Sequence, residues 1–210
     1  MQYLSIILAV ALIHLLAVIS PGPDFIMILR NSLKYGRQSG IYSAVGLGLG
    51  ILLHITYCLA GIAIIISQSI LVFTILKYIG AAYLIYIGIK TLKARPSKTN
   101  MDVDEKKDKP LTQTQAIRIG FITNATNPKA TLFCLSLFTL VIQPSTPMWV
   151  KLIMSAEMSI ATVGWFTLLA IAVSHRVIRG RISKVQHYAE RFIGGILILF
   201  GLKLASTHSK

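Results

Sequence analysis

Four consecutive residues, Pro21-Gly22-Pro23-Asp24, interrupt an apolar run that begins near Tyr3. Each proline removes a backbone donor and Gly22 relaxes the chain between them, so upstream carbonyls lose their helical partners. In a membrane such carbonyls persist only where protein or a wet cavity satisfies them. Asp24 adds an ionisable group inside the same run. A carboxylate there costs about 2.5 to 3.5 kcal/mol on insertion scales and marks a functional site by default. The structural alternative is a plain kink, with Asp24 capping the half-helix that follows.

A second polar patch, Thr123-Asn124-Ala125-Thr126-Asn127-Pro128-Lys129, lies inside another apolar span. Pro128 frees a carbonyl, Asn124 and Asn127 can answer one or bind a solute, and Lys129 brings a positive charge. Lys129 and a half-helix N-terminus could receive a carboxylate, while Asp24 and freed carbonyls receive an ammonium. That is the chemistry of a zwitterion site, with Pro21, Gly22, Pro23, Asp24, Asn124, Asn127, Pro128 and Lys129 as its substrate-binding set. The alternative for Lys129 is a stem that snorkels to the interface.

The candidates for proton coupling are Asp24, Glu157, His14 and His54, all within apolar runs. Glu157 stands near the middle of its span, as a proton or ammonium site or as a structural partner for Lys129. Each histidine can carry a coupling proton or make an interhelical hydrogen bond. Cys58 and Cys134 stand singly, without a C-x-x-C or companion histidines, and read as buried apolar thiols. No metal site, cofactor, hydrolytic constellation or nucleotide motif is expected, and the chain reads as no enzyme. Glycines 36, 40, 46, 48 and 50 could be mistaken for a phosphate loop, but no strand precedes them; they suit close helix contact.

The elements that must position these groups are membrane helices. Of 210 residues, 54% are hydrophobic and 13% charged, against about 25% charged in soluble domains, and the mean hydropathy is +0.69. About six spans can be drawn, near 3–30, 40–66, 70–92, 115–142, 148–173 and 191–206, the last a short one. The first and fourth are the broken ones. The opening residues lack the positive segment and cleavage site of a signal peptide, so the first run is expected to remain as a helix. The net charge of +14 would suit nucleic acid, but the basic residues are confined to particular loops and form no single face.

Lysines and arginines alternate between rich and poor connections. Arg30, Lys34 and Arg37 follow span one, only Lys77 is assigned between two and three, and a basic cluster from Lys93 to Arg118 follows span three. Only Lys151 falls between four and five, and Arg176, Arg179, Arg181, Lys184 and Arg191 follow span five. The positive-inside bias then puts the first, third and fifth loops in the cytoplasm and both termini outside. The stretch 94–112 mixes both signs with few apolar residues and reads as a flexible cytoplasmic linker. It separates 1–93 from 113–210, three spans each. Lys77-Tyr-Ile-Gly-Ala-Ala-Tyr-Leu-Ile-Tyr-Ile-Gly-Ile-Lys90 and Arg191-Phe-Ile-Gly-Gly-Ile-Leu-Ile-Leu-Phe-Gly-Leu-Lys203 align with a single gap. Three spans per half reverse the second half, giving two inverted three-helix repeats in an all-α membrane protein.

Ile19-Ser-Pro-Gly-Pro-Asp-Phe25, Tyr78-Ile-Gly-Ala-Ala-Tyr-Leu84 and Asn127-Pro-Lys-Ala130 together resemble the LysE/RhtB superfamily of amino-acid exporters, over essentially the whole chain. His14 to Phe25, Gly120 to Ala130 and Trp165-Phe-Thr167 look most like its threonine-exporter branch. The resemblance implies a multi-pass protein of the bacterial inner membrane. It also implies export of a small neutral amino acid of threonine or homoserine type, driven by proton motive force. The expected partners are that amino acid, protons and the lipid bilayer, with no nucleic acid; the chain can act alone or as a homodimer. Two competing readings are a divalent-metal exporter using Asp24 and Glu157, and a membrane thiol–disulfide carrier using the two cysteines.

Overall fold

The computed structural model describes residues 2–68, 70–93, 109–142, 145–174, 191, 194–202 and 204–206, and every regular element among them is a helix. They are α1 (Gln2–Ile19), α2 (Pro23–Lys34), α3 (Arg37–Gln68), α4 (Ile70–Leu92), α5 (Gln113–Ala125), α6 (Pro128–Val141) and α7 (Met148–Ser174), followed by a shorter apolar helix, α8 (Gly194–Ser206). Pro23 and Pro128 each stand at the first position of their helix, where a missing N–H costs nothing. The two expected breaks therefore separate α1 from α2 and α5 from α6. By length and composition, Arg37–Gly61 and Met148–Ser174 can each cross a bilayer, and α1 with α2, bent by 57°, makes a third such span.

One expectation is corrected. Lys77 is no loop residue: it lies inside α4. Lys77 is buried, with its Nζ 4.7 Å from the centroid of the Tyr78 ring. The described end of the proposed linker leads into α5. Leu111 N donates to Ser39 Oγ at 3.1 Å, and Thr112 and Gln115 form a reciprocal capping box that starts α5. Residues 94–108, the basic residues Arg176, Arg179, Arg181 and Lys184, and Lys203 lie outside the described residues.

The helices meet where glycine lets backbones approach. A Cβ on Gly46 would lie 2.1 Å from the Ile117 carbonyl oxygen, and one on Gly120 would lie 2.0 Å from that of Ser43. Ser43, Gly46 and Gly50 meet α5 in ascending order, so α3 and α5 run side by side in one direction. The seam is legible in α5 itself, whose buried residues are Ala116, Gly120 and Asn124, one every four positions. Gly88 rests on Gly194 and Gly201 rests on Ala81, so α4 and α8 pack antiparallel. Gly40 packs on Ser32 and Ala170, and Gly48 on Val163. Gly36 departs from the packing expectation; its φ of 92° makes the turn between α2 and α3. The bent pair α1 and α2 packs on α7 and α2 also on α3, while α5 and α6 pack on α3 and α6 also on α4.

The apolar interior forms two clusters. One gathers Val10, Ile13, Ile51, Ile55, Phe133, Leu137, Met154 and Met158. The other gathers Phe25, Ile28, Leu29, Leu47, Phe166, Leu169 and Val173. The break residues between α1 and α2, and Thr162 on α7, fall at the changeover between clusters, while the buried His14 and His54 stand among first-cluster residues of α1 and α3.

Candidate functional site

Each helix break is answered by a side chain from the other half of the chain. At the first, Lys129 folds across Gly22 and its Nζ donates to Ser20 O at 2.7 Å and to Pro21 O at 3.3 Å. These carbonyls sit where the chain leaves α1 and cannot both continue a helical ladder. At the second, Pro128 has no N–H to offer Asn124 O, four residues earlier. Asn127 N donates to that carbonyl at 2.8 Å instead, and His54 Nε2 adds a second bond to it at 2.8 Å. A carbonyl only accepts, so Nε2 carries a proton and donates. The Tyr57 hydroxyl is hydrogen-bonded to Nδ1, and Thr131 Oγ1 lies 3.5 Å from it. Asn127 caps α6 through its side-chain oxygen, which accepts from Lys129 N at 2.9 Å.

The two breaks are joined by Asn124 Nδ2, which donates to Asp24 Oδ2 at 2.8 Å across 100 residues of sequence. Asp24 stands in the first turn of α2, where a carboxylate suits the positive end of the helix, but it is not the cap: Gly22 is the N-cap and makes no side-chain bond. Asp24 Oδ1 and Asn124 Oδ1 are buried without a hydrogen-bond partner among the described residues. Those two acceptors are the unfilled valences of the site.

Two cavities flank this junction. A narrow one of about 40 Å³ is lined by His14, Asp24, Phe25, Asn124, Phe133 and Thr162 among others. It has room for about one water, whose share of liquid volume is about 30 Å³. A wider one of about 360 Å³ runs from the break along α4 and is lined by Pro21, Pro23, Tyr83, Tyr86, Lys90 and Pro128 among others. That is within the range of small-molecule sites, roughly 300–1,000 Å³. Ser20, Gly22, Asn127 and Lys129 line both, so they form the wall between them.

The structure therefore brings together all eight residues of the expected binding set, but with one part exchanged. The freed carbonyls, expected to face a solute ammonium, are occupied by the ammonium of Lys129. Lys129 Nζ turns onto these backbone carbonyls. Of the proton candidates, His14 lines the narrow cavity; its Nε2 is 3.5 Å from Thr162 Oγ1 and its Nδ1 has no hydrogen-bond partner among the described residues. His54 makes the interhelical bond to α5. Glu157 lines neither cavity, and its Oε2 is buried without a hydrogen-bond partner among the described residues. Sequence reasoning missed Ser20, Tyr57, Thr131 and Thr162. Tyr57 and Thr131 were findable, one turn beyond His54 and Asn127.

The alternatives fare worse. Asp24 and Glu157 do not share a cavity, and no group of three or more His, Cys, Asp and Glu converges among the described residues. Cys58 and Cys134 are free thiols buried in one apolar cluster. A Cys58→Ala/Cys134→Ala double variant is expected to transport at an unchanged rate per folded molecule. Loss of activity in protein of normal yield would revive the thiol reading.

Broken spans paired across the bundle, with buried polar groups at the breaks and a solute-sized cavity beside them, are the construction of a membrane transporter. The chain belongs to the LysE type translocator family, whose model matches residues 15–208, and it is a transporter and not an enzyme. It is 29% identical over 204 residues to the uncharacterized membrane protein YrhP of Bacillus subtilis (strain 168), covering 94% of this chain and 97% of that one. An uncharacterized membrane protein of Vibrio cholerae serotype O1 is 31% identical over 192 residues, covering 90% and 91%. The threonine efflux protein of Escherichia coli (strain K12) is 24% identical over 201 residues, covering 96% and 98%. No solved structure matches.

Proposed function

We propose that this chain exports a small neutral amino acid, of threonine or homoserine type, across the bacterial inner membrane, driven by proton motive force. The observation that carries the reading is the reciprocal closure of the breaks: Lys129 on the Ser20 and Pro21 carbonyls, and Asn124 on Asp24. It gathers an acid, a base and backbone dipoles at one point beside a cavity large enough for an amino acid. The family and the threonine efflux relatives support the cargo class.

The architecture we propose is six spans in two inverted repeats, 1–93 and 113–210, joined by a cytoplasmic linker, with both termini outside. In support, α1 and α2 pack on α7, and α5 and α6 on α3, although α2 also packs on α3 and α6 on α4. The antiparallel α4–α8 contact is close to reciprocal. Gly88 meets Gly194, while Gly201, the counterpart of Gly88, meets Ala81 beside the counterpart of Gly194. Lys90 stands at the basic end of α4, so the wider cavity lies on the cytoplasmic side, where an exporter takes up cargo. Rocking of one half against the other would then pass the solute across the wall formed by Gly22 and Lys129. Asp24 and His14, which share the narrow cavity, are the proposed proton carriers.

The test is purified protein in proteoliposomes, screened against amino acids under an imposed pH gradient. Threonine or homoserine flux should follow the gradient and collapse with a protonophore. Movement of no amino acid, with manganese or cadmium transported instead, would replace the reading with that of a cation exporter.

A further inference from the structure

Lys129 does more than close a helix break. Its ammonium is bound by two backbone carbonyls that no helix uses, over a glycine that leaves room for the stem. A Cβ on Gly22 would stand 3.3 Å from Lys129 Cδ and 3.5 Å from Nζ. Gly22 has φ −176°, which any residue adopts, so backbone freedom does not call for glycine there, and a Cβ would press only on the flexible Lys129 stem. The carbonyl pair is thus a built receptor for an alkylammonium head, and the tethered Lys129 fills it. The same side chain is part of the wall between the solute-sized cavity and the narrow one holding Asp24.

We infer that the Ser20 and Pro21 carbonyls form a binding site for a primary ammonium group, that Lys129 is its resident occupant, and that cargo advances by displacing Lys129 with its own ammonium. This identification of the cargo's recognised group rests on the export reading, although the site itself can be tested without transport. Carbonyl oxygens need a hydrogen-bond donor and favour a charged one, so the site takes R–NH₃⁺ and rejects a quaternary ammonium of the same charge, which has no donor. One ammonium replaces another, so the exchange does not leave the carbonyls without a cation. A solute without an ammonium donor could enter the wider cavity but would have no matching charge with which to release Lys129.

The experiment uses purified full-length chain in nanodiscs, with thermal unfolding as readout. Lys129→Ala and Lys129→Met vacate the carbonyls, the second while keeping most of the stem over Gly22. n-Propylammonium should raise the midpoint of either variant saturably, by about 4 °C at tenfold excess over its dissociation constant. It should leave the wild type within error, and tetramethylammonium should act on none of them. An equal rise in wild type and variants, or an equal response to tetramethylammonium, would overturn the site. If neither variant is recovered folded, purification in propylammonium should restore it, and failure of that rescue overturns the site too. A negative amino-acid screen with a positive propylammonium response would reject the export reading and leave the ammonium site standing.

Discussion

Cells carrying Asp24→Asn will keep the chain in the membrane at normal or higher abundance and lose efflux to the level of cells without it. The substitution is nearly isosteric and leaves an oxygen that can accept from Asn124 Nδ2, as Asp24 Oδ2 does at 2.8 Å. What it removes is the charge, whose insertion cost of about 2.5 to 3.5 kcal/mol is relieved. Stability therefore moves one way and function the other. The loss follows because the acid would no longer hold a proton or oppose the cation layer made by Lys129. A merely structural Asp24, serving only as acceptor for Asn124, would tolerate Asn; intracellular threonine challenge separates the two, and export at the wild-type rate would remove the carboxylate from the pathway.

The largest expected loss of stability is at the α3–α5 seam. Gly120→Ala puts a Cβ 2.0 Å from Ser43 O, and Gly46→Ala one 2.1 Å from Ile117 O. Both obstacles are backbone, so neither can rotate away and the helices must separate by about 1 Å or more. Overpacking usually costs about 1–3 kcal/mol; here each alanine is expected at or above the top of that range. Separation would also pull His54 off the Asn124 carbonyl, 2.8 Å away on the same seam. Gly164→Ala is the control, because a Cβ there meets nothing within 4 Å; relief of glycine's helix penalty gives about 1 kcal/mol at most, in the stabilising direction. Detergent-solubilised yield and thermal midpoint should fall sharply for Gly46→Ala and Gly120→Ala and hold for Gly164→Ala. Equal behaviour of all three would mean that the seam is looser than described.

The helix breaks were legible because proline acts locally: no tertiary context gives Pro23 or Pro128 an N–H. The buried polar residues were legible because an apolar background makes Asp24, Asn124 and His54 conspicuous. What each of them bonds to was not legible. Lys129 reaches Ser20 O over 109 residues of sequence and His54 reaches Asn124 O over 70, and nothing in either segment alone encodes the other. The sequence pointed to Lys129 as a receiver of carboxylate because a cation and an anion are natural partners; backbone carbonyls, which have no letter in a sequence, won instead. Lys77 was misplaced for a related reason. A lysine reads as a loop residue even inside a drawn span, until its burial within the helix is seen.

The separation between the breaks and their partners also has a consequence for biogenesis. The first break is completed by Asn124 and Lys129, 100 or more residues further along the chain. At roughly 5–20 residues per second, the ribosome takes roughly 5–20 s to make up that distance. Through that interval the nascent first half holds Ser20 O, Pro21 O and Asp24 with no intrachain answer. It cannot be released into lipid with that break completed. The break must wait in a hydrated part of the insertion machinery until the second half arrives, which makes late handover to the bilayer a property of this sequence.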